Sequence, residues 1–410
     1  MESSAIKAKT DVKSKQQALA EVKAKNGGFS TENQRFLIGL FGGRVKFDRR
    51  EMKMYSHDLA DIPSLVKPLV GNTIPRAVVQ PVSEDEIIQL VRWAKKEKIH
   101  LTPRAKSTSG YGGVIPRKRD VVIDFHRMRK IIDIDRDHHL VTVQPGIVWE
   151  KLDHELHKHD LRVNSYPTSY PSSTVGGWFA QSGAGIGSYS AGWFRDCVTK
   201  ARMVLADGTS RVLEGADLDL AYGAEGITGL ITEITVKVLD NTDLKVMSIG
   251  SQEAKGLQGL MESLEKQGLP IWNMMFINPK MAELKNKAPQ LETEGQAGEK
   301  EVLLPESYLL TLTYAAKDAA TVESAVKAMV QANEAEILSQ KIADQEWEHR
   351  FRFMVVKRLG PSLVPAEVVV PLENLSSFLN ELEKKVRQPI VEEGIVISKG
   401  RNGNPEVVIL

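Results

Sequence analysis

From residue 75 onward, hydrophobic and polar positions fall into a dense series of short elements. "RAVVQP" is a β-branched run, and "SEDE" follows it with Ser83 three residues before Glu86, the spacing of a capping box. Ile87, Leu90, Val91 and Ala94 then recur at helical intervals, and "KIHLTPR" reads as the next strand. Strand, helix and strand predict a βαβ unit with parallel strands. The unit runs into "RAKSTSGYGG" (104–113), a Gly/Ser-rich loop just past a strand end, where α/β folds collect ligands. Strands are predicted at 120–125, 130–135 and 139–145. A helix is predicted over about 147–159, with Leu152 and Leu156 on one face. "ARMVLADGTSRVL" alternates about Asp207-Gly208, a hairpin signal, and 225–239 reads as a loop entering a long strand.

After about residue 243 the pattern changes. "LPIWNMMFI", "SYLLTLTYA", "PAEVVVP" and "GIVISK" read as strands, and helical spacing recurs at 253–266, 318–334, 340–357 and 372–386. This half is expected to be an antiparallel sheet with helices on one face, so the whole chain reads as α+β. The polar stretch 287–301 is expected to be a mobile loop. Residues 1–34, rich in Lys, Ala and Gln with interspersed acids, are expected to be a solvated tail or frayed helix.

Composition narrows the partners. With 54 basic and 53 acidic residues there is no broad field to draw nucleic acid. The one cysteine, Cys197, rules out an internal disulfide, a thiolate-held Fe–S cluster and a Cys-rich zinc site; beside a strand it reads as a core residue. The N-terminus has no apolar leader and no run is long enough to span a bilayer, which reads as a cytoplasmic protein. His154, His157 and His159 lie off the Leu152/Leu156 face and read as a solvated surface, so no metal site is expected.

The densest backbone feature is "PSSTVGGWFAQSGAGIGSYSAGWF", in which residues 171–192 hold six glycines and five serines. Glycine costs chain entropy, so such a cluster implies backbone that must approach something closely. Together with 104–113 it provides two small-residue loops able to offer N–H groups to a dinucleotide diphosphate from two sides. "GAGIGS" imitates the G-x-G-x-x-G dinucleotide fingerprint, with strand-like "WFAQ" before it. The segment after it is too short and Gly-broken for the required helix, and Asp207 is explained by its turn.

These segments, in order, resemble the FAD-binding domain of the vanillyl-alcohol oxidase / para-cresol methylhydroxylase family. The likeness is strongest to the glycolate oxidase and D-lactate dehydrogenase FAD subunits. "MYSHDLADIP" is similar to the family's Y-S-x-D opening, and the βαβ unit to its first βαβ. "RAKSTSGYGG" stands at its Arg-Gly-Gly-Gly-Thr-Ser pyrophosphate loop. "VQPGIVWEKLDHELHKHDL", "PSSTVGGWFAQSGAG", "RDCVTKARMVLADGT" and "GAEGITGLITEITVKV" complete the series. The resemblance implies a two-subdomain FAD-binding α/β domain over 35–242 and an α+β cap over 243–410. By position, Arg104, Ala105, Lys106, Ser107, Thr108 and Ser109 are expected at the pyrophosphate. Pro171, Thr174, Gly176, Gly177, Gln181, Ser182, Gly183 and Gly192 are expected along the flavin and ribityl, and Glu225, Gly226 and Ile231 at the adenine-ribose end.

Several positions depart from that pattern. Ala105 and Lys106 replace two glycines; Lys106 either meets a phosphate or points outward. The loop position that some relatives use for covalent attachment holds no His or Cys, which implies noncovalent FAD. "WEHR" makes Arg350 a candidate anchor for a substrate carboxylate. "SKGRNGNPEVVIL" resembles a shortened form of a family strand whose histidines are replaced by Arg401 and Glu406. The cap is therefore expected to be incomplete at its C-terminus, with 394–410 beside an open side and "VVIL" on an unpaired edge. Two functions follow from the resemblance. One is an FAD-linked dehydrogenase or oxidase acting on the CH–OH of a 2-hydroxy acid, passing electrons to an Fe–S partner or further polypeptide. The other is a non-catalytic or electron-transferring FAD subunit of a larger Fe–S complex. The residues name no general base.

Overall fold

The computed structural model describes residues 29–59, 65, 67–118, 121–289, 302–360, 364 and 366–410. The expected mobile loop at 287–301 and most of the expected tail at 1–34 lie outside these residues. The tail reading needs one correction: a helix at Thr31–Phe41, capped by the Ser30 hydroxyl, runs across residue 34 and buries Gln34, Leu37 and Phe41. Its apolar face joins the first core, with Phe36 stacked on Trp93 at 4.8 Å.

The first half holds two sheets. Strands β1 (Val45–Lys46), β2 (Ala77–Val79), β3 (Leu101–Arg104) and β4 (Val121–Asp124) lie in the order β1-β2-β4-β3. β2, β4 and β3 are parallel, as the βαβ pattern requires, and β4 enters between the strands of that unit. The crossover helix Glu84–Glu97 buries Ile87, Leu90, Val91 and Ala94, the residues picked out by periodicity.

The second sheet is antiparallel. It contains β5 (Ile131–Asp135), β6 (Leu140–Val143), β7 (Leu161–Val163), β8 (Val198–Leu205), β9 (Ser210–Glu214) and β10 (Gly229–Asp240), in the order β5-β6-β10-β8-β9 with β7 on β10. Asp207 accepts from the Thr209 N–H at 2.8 Å and Gly208 has φ +78°, so the β8–β9 hairpin turns where the Asp-Gly pair predicts.

The third sheet, in the second half, comprises β11 (Leu244–Ser251), β12 (Ile271–Ile277), β13 (Tyr308–Ala315), β14 (Ala335–Ile337), β15 (Val368–Pro371), β16 (Glu393–Ile397) and β17 (Glu406–Ile409). All its pairings are antiparallel, in the order β14-β11-β13-β12-β16-β17-β15. The expected unpaired edge at "VVIL" is not found. β17 pairs with β16 on one side and β15 on the other, and all four of its residues are buried. Helices Ala254–Lys266, Ala319–Val330 and Leu375–Lys385 cover one face of this sheet through Leu257, Leu264, Val326 and Leu379. Its other face turns Trp272, Met275 and Ile395 into the core of the first half. The architecture is an FAD-domain-like pair of sheets followed by an α+β cap.

Candidate functional site

β3 ends at Arg104, and the chain leaves the parallel sheet through the loop 104–113. A segment just upstream of β2 shapes that loop. Asp58 accepts from the Gly112 N–H at 2.8 Å, and the Leu59 N–H donates to the Ser109 carbonyl at 3.1 Å. The Arg104 guanidinium donates to the carbonyls of His57 (2.9 Å) and Met54 (3.3 Å) and lies 5.2 Å from the Tyr55 ring. Tyr55 in turn donates to buried Asp124 at 2.8 Å, a strained neighbourhood for a phenolate: burial and the Asp124 charge push the phenol up to about 12. Tyr55 to Asp58, the Y-S-x-D match, thus shapes the loop.

The second wall is the helix Val175–Gln181. This corrects the strand reading of "WFAQ": Thr174 caps the helix by accepting from the Gly177 N–H at 3.1 Å. Gly176 permits its close seating. A Cβ there would meet Pro145 at 2.3 Å and 2.7 Å, so no other residue fits without moving backbone. At Gly177 a Cβ would stand 3.1 Å from the Ala105 Cβ, which is how near the two loops come. The floor is the turn 223–226 and the start of β10, tied to the helix by the Glu225 N–H donating to the Ala180 carbonyl at 2.8 Å.

Between these walls lies an open cleft of about 900 Å³, the solvent-facing space included. All six residues from Arg104 to Ser109 line it, as do Thr174, Gly176, Gly177, Gln181, Glu225, Gly226 and Ile231. Pro171, Ser182, Gly183 and Gly192 lie off its lining. Pro171 is exposed, and the glycines from 183 onward serve other contacts. Ile186 bridges to Tyr166, and a Cβ on Gly185 would sit 2.2 Å from the Tyr166 carbonyl. The Gly187 N–H donates to the Asn273 side chain on β12 at 3.1 Å. The Gly/Ser stretch therefore does two jobs: its first part walls the cleft, and its second part ties the segment that follows β7 to the cap. Sequence reading passed over Pro103, Gly113, Val114, Phe125, Pro145, Ser169 and Ser173, which also line the cleft.

The loop is suited to an anion. Among the described residues no protein acceptor meets the backbone N–H groups of residues 105–110. Ser107 sits at φ +57°, and its hydroxyl is buried without a partner. Donors left free of protein acceptors in this way can be shared by the oxygens of one bound phosphate. Lys106 is exposed at the rim. Opposite, Pro103, Phe125, Leu230 and Ile231 offer apolar surface for flat rings.

Arg350 lies elsewhere, at the edge of a second cavity under the cap. Between the two spaces stands an aromatic wall: Tyr170, next to cleft-lining Ser169, stacks on Phe351 at 5.1 Å, and Tyr166 lies 6.0 Å from Phe351. Arg401 and Glu406 both pack on Trp193, the guanidinium 4.2 Å from its ring and the carboxylate accepting from its Nε1 at 3.3 Å. Cys197 is buried, and burial pushes its thiol up to about 12. His154 and His157 are exposed, and among the described residues no three His, Cys, Asp or Glu side chains gather as a metal set. None of the described helices is long and apolar enough to cross a membrane.

Comparison with known proteins adds to this geometry. Residues 75–214 match the FAD binding domain, and residues 245–395 match the C-terminal domain of FAD linked oxidases. The chain is 29% identical over 182 residues to glycolate oxidase subunit GlcD of Bacillus subtilis (strain 168), covering 42% of this chain and 39% of that one. It is 31% identical over 186 residues to alkyldihydroxyacetonephosphate synthase of Dictyostelium discoideum, covering 42% and 30%. To D-lactate dehydrogenase of Archaeoglobus fulgidus it is 23% identical over 254 residues, covering 60% and 56%. Each match thus spans less than two thirds of the relative's length. A solved alkyldihydroxyacetonephosphate synthase superposes with TM-score 0.75 at 19% identity, covering 93% of this chain and 80% of that one. p-Cresol methylhydroxylase gives 0.73 at 13%, covering 94% and 84%. At these identities the structural likeness is one of fold.

Proposed function

This chain belongs to the FAD-linked oxidoreductases, joining an FAD binding domain to the C-terminal domain of FAD linked oxidases, and from that premise we propose that it oxidises a 2-hydroxy acid of the D-lactate or glycolate type. The observation that carries the cofactor half of this reading is the loop 105–110, whose unanswered N–H groups and buried Ser107 hydroxyl fit a diphosphate. In this reading residues 104–109 hold the pyrophosphate and Thr174, Gly176, Gly177 and Gln181 flank the ribityl. Glu225, Gly226 and Ile231 close the adenine-ribose end. With no His or Cys at the attachment position, FAD binds noncovalently.

Bound FAD supplies a two-electron acceptor for the substrate's C–H bond. The chain's own contribution is placement. Arg104 fixes residues 54–57, Asp58 fixes the loop, and the capped helix Val175–Gln181 presents its glycines to the cofactor. Tyr166, Tyr170 and Phe351 pack together on the side of the cleft toward the cap. In this reading an Fe–S protein or another polypeptide would be the electron-accepting partner. The hydroxy-acid choice follows the similarity to glycolate oxidase and D-lactate dehydrogenases.

A second reading, an FAD subunit without a substrate, draws on one observation. Arg401 and Glu406, which stand in place of the family's histidines, are both engaged by Trp193. The test is to load the full chain with FAD and follow flavin bleaching with D-lactate, L-lactate, glycolate, an aldose and an aromatic alcohol. Bleaching by D-lactate or glycolate supports the enzyme. Bleaching only by the aldose or alcohol overturns the hydroxy-acid assignment, and no bleaching by any donor favours the second reading.

A further inference from the structure

Behind the cleft, the first half of the chain carries an open groove of about 930 Å³, the solvent-facing space included. Cleft and groove lie back to back. Phe125 and Pro145 line the cleft, while their neighbours in the chain, His126 and Gly146, line the groove. Lys106 lines both. The two segments between them are packed tightly. The Gly146 N–H donates to the Met128 carbonyl at 2.7 Å, and a Cβ on Gly146 would stand 2.0 Å from the Phe125 carbonyl oxygen. One layer of chain therefore separates an occupant of the groove from the cleft.

The groove has an apolar floor and a basic rim. Ile131 and Ile134 on β5, with Ile147 and Val148 just before the helix Trp149–His157, supply the floor. Lys106, Arg129 and Lys151 supply the rim from three places: the loop 104–113, the β4–β5 connection and that helix. These three side chains belong to exposed residues, and among the described residues no carboxylate pairs with them. The carboxylate in the lining, Glu155, is already taken by Lys158 at 2.7 Å. His126 adds an imidazole whose Nδ1 lies 2.9 Å from buried Asp124. The whole chain has a net charge of only +1, so this excess of cations is local.

Charge and shape narrow the occupant. Unpaired cations around an apolar floor complement an acidic surface with an apolar centre. Rim charges on long, exposed stems steer an approaching body and do not grip a small ion as buried donors do. A recess takes a protruding protein segment, whereas a bilayer offers a flat face. We propose that this groove docks an acidic segment of a protein that accepts electrons from the reduced cofactor. The docking stands on the groove itself; naming the partner an electron acceptor rests on the oxidoreductase reading above. Each reduced flavin returns to FAD by giving one electron to each of two partner molecules and its two protons to water.

The probes are an acidic blue-copper protein and a basic cytochrome c, both one-electron acceptors, with benzoquinone as a neutral acceptor. The FAD-loaded full chain is reduced with dithionite and freed of the excess, and its reoxidation is followed by stopped flow without oxygen. With the blue-copper protein the rate should fall about tenfold or more from low to high salt, and with cytochrome c it should not fall. Arg129→Glu/Lys151→Glu should cut the low-salt rate with the blue-copper protein by about tenfold or more. The same variant should keep its FAD content, its near-UV circular dichroism and its rate with benzoquinone. Lys384→Glu/Lys385→Glu, an equal charge change on an exposed helix of the cap, should stay within about twofold of the natural chain with both acceptors. Carbodiimide cross-linking of the natural chain, read by mass spectrometry, should join carboxylates of the blue-copper protein to Lys106 or Lys151. The proposal is overturned by rates blind to acceptor charge, by equal losses in the two double variants, or by cross-links that avoid both lysines. Slowing by inorganic phosphate beyond that of chloride at equal ionic strength would assign the groove to a small anion instead. Sedimentation with anionic phospholipid vesicles, abolished by Arg129→Glu/Lys151→Glu, would assign it to a membrane; either result overturns the protein partner. Because the flavin is reduced chemically, a chain that no hydroxy acid bleaches loses the substrate reading and keeps this one. Bleaching by D-lactate or glycolate with charge-blind reoxidation removes this one and leaves the other.

Discussion

Single residues carry the chemistry of this fold through what they lack. Gly176 lacks the Cβ that would collide with Pro145, and Gly176→Ala is expected to push the helix Val175–Gln181 off the cleft. The cost is about 1–3 kcal/mol, read as a lowered urea midpoint, together with faster loss of FAD on gel filtration. Cys197 lacks solvent and a free thiolate; iodoacetamide should leave it unlabelled at neutral pH until urea unfolds the chain. Glu392 and Glu393 lack partners enough to ionise, and burial holds both at about 7 against an ordinary 4.5. Between those values the folded chain holds protons that the unfolded chain releases. Stability is therefore fullest below the unfolded value and declines as pH rises through about 7. Melting temperatures from pH 5 to pH 8 should fall in the natural chain, and less in Glu392→Gln/Glu393→Gln; an equal fall in both removes this account.

At the scale of elements, local patterns were readable and long-range order was not. The helix Glu84–Glu97 is visible because its apolar residues repeat at 3.6 and Ser83 caps it, accepting from the Glu86 N–H at 3.4 Å. The β8–β9 hairpin is visible because Asp-Gly allows one tight turn. The second half of the helix Val175–Gln181 read as a strand because "WFAQ" is short, mostly apolar and follows two glycines. Its helicity comes from the Thr174 cap and burial of Val175 and Phe179, which periodicity does not report. The helix Pro279–Lys287 was missed, although Asn278 at its cap and Pro279 at its first turn are starting signals. The loop 104–113 was legible from its small residues as a loop past a strand end, and it lines the cleft. The cap cavity was not, since Asn273 and Glu393 are lone polar residues in apolar strands and line one cavity only when β12 and β16 pair. Strand order explains the overturned edge: nothing local in "VVIL" says that β15 will pair beyond it. Gly394→Ala tests that region. A Cβ there would stand 1.9 Å from the Phe276 ring, so Gly394→Ala should lose about 1–3 kcal/mol in urea unfolding by splaying β12 from β16.

At the scale of the molecule, cleft and cavity lie on opposite sides of one aromatic wall, and the contacts holding that wall cross between the halves of the chain. Trp272 on β12 donates from Nε1 to the Asn164 carbonyl at 2.9 Å, and the Arg162 guanidinium covers its ring at 4.3 Å. Asn273 takes the Gly187 N–H, and the Ser398 N–H donates to the Tyr189 carbonyl at 3.2 Å. These bonds engage main chain on the FAD side, and glycines 185 and 187 let that main chain come near enough. Two halves clamped through main-chain groups exchange their amide hydrogens together: neither can open far enough to expose Gly187 or Ser398 while the other stays closed. Deuterium uptake at 183–190 and at 271–277 should therefore share one slow rate, and heat should melt the chain in a single step. Two steps, or a cap that exchanges while 183–190 stays protected, would show that the clamp yields first.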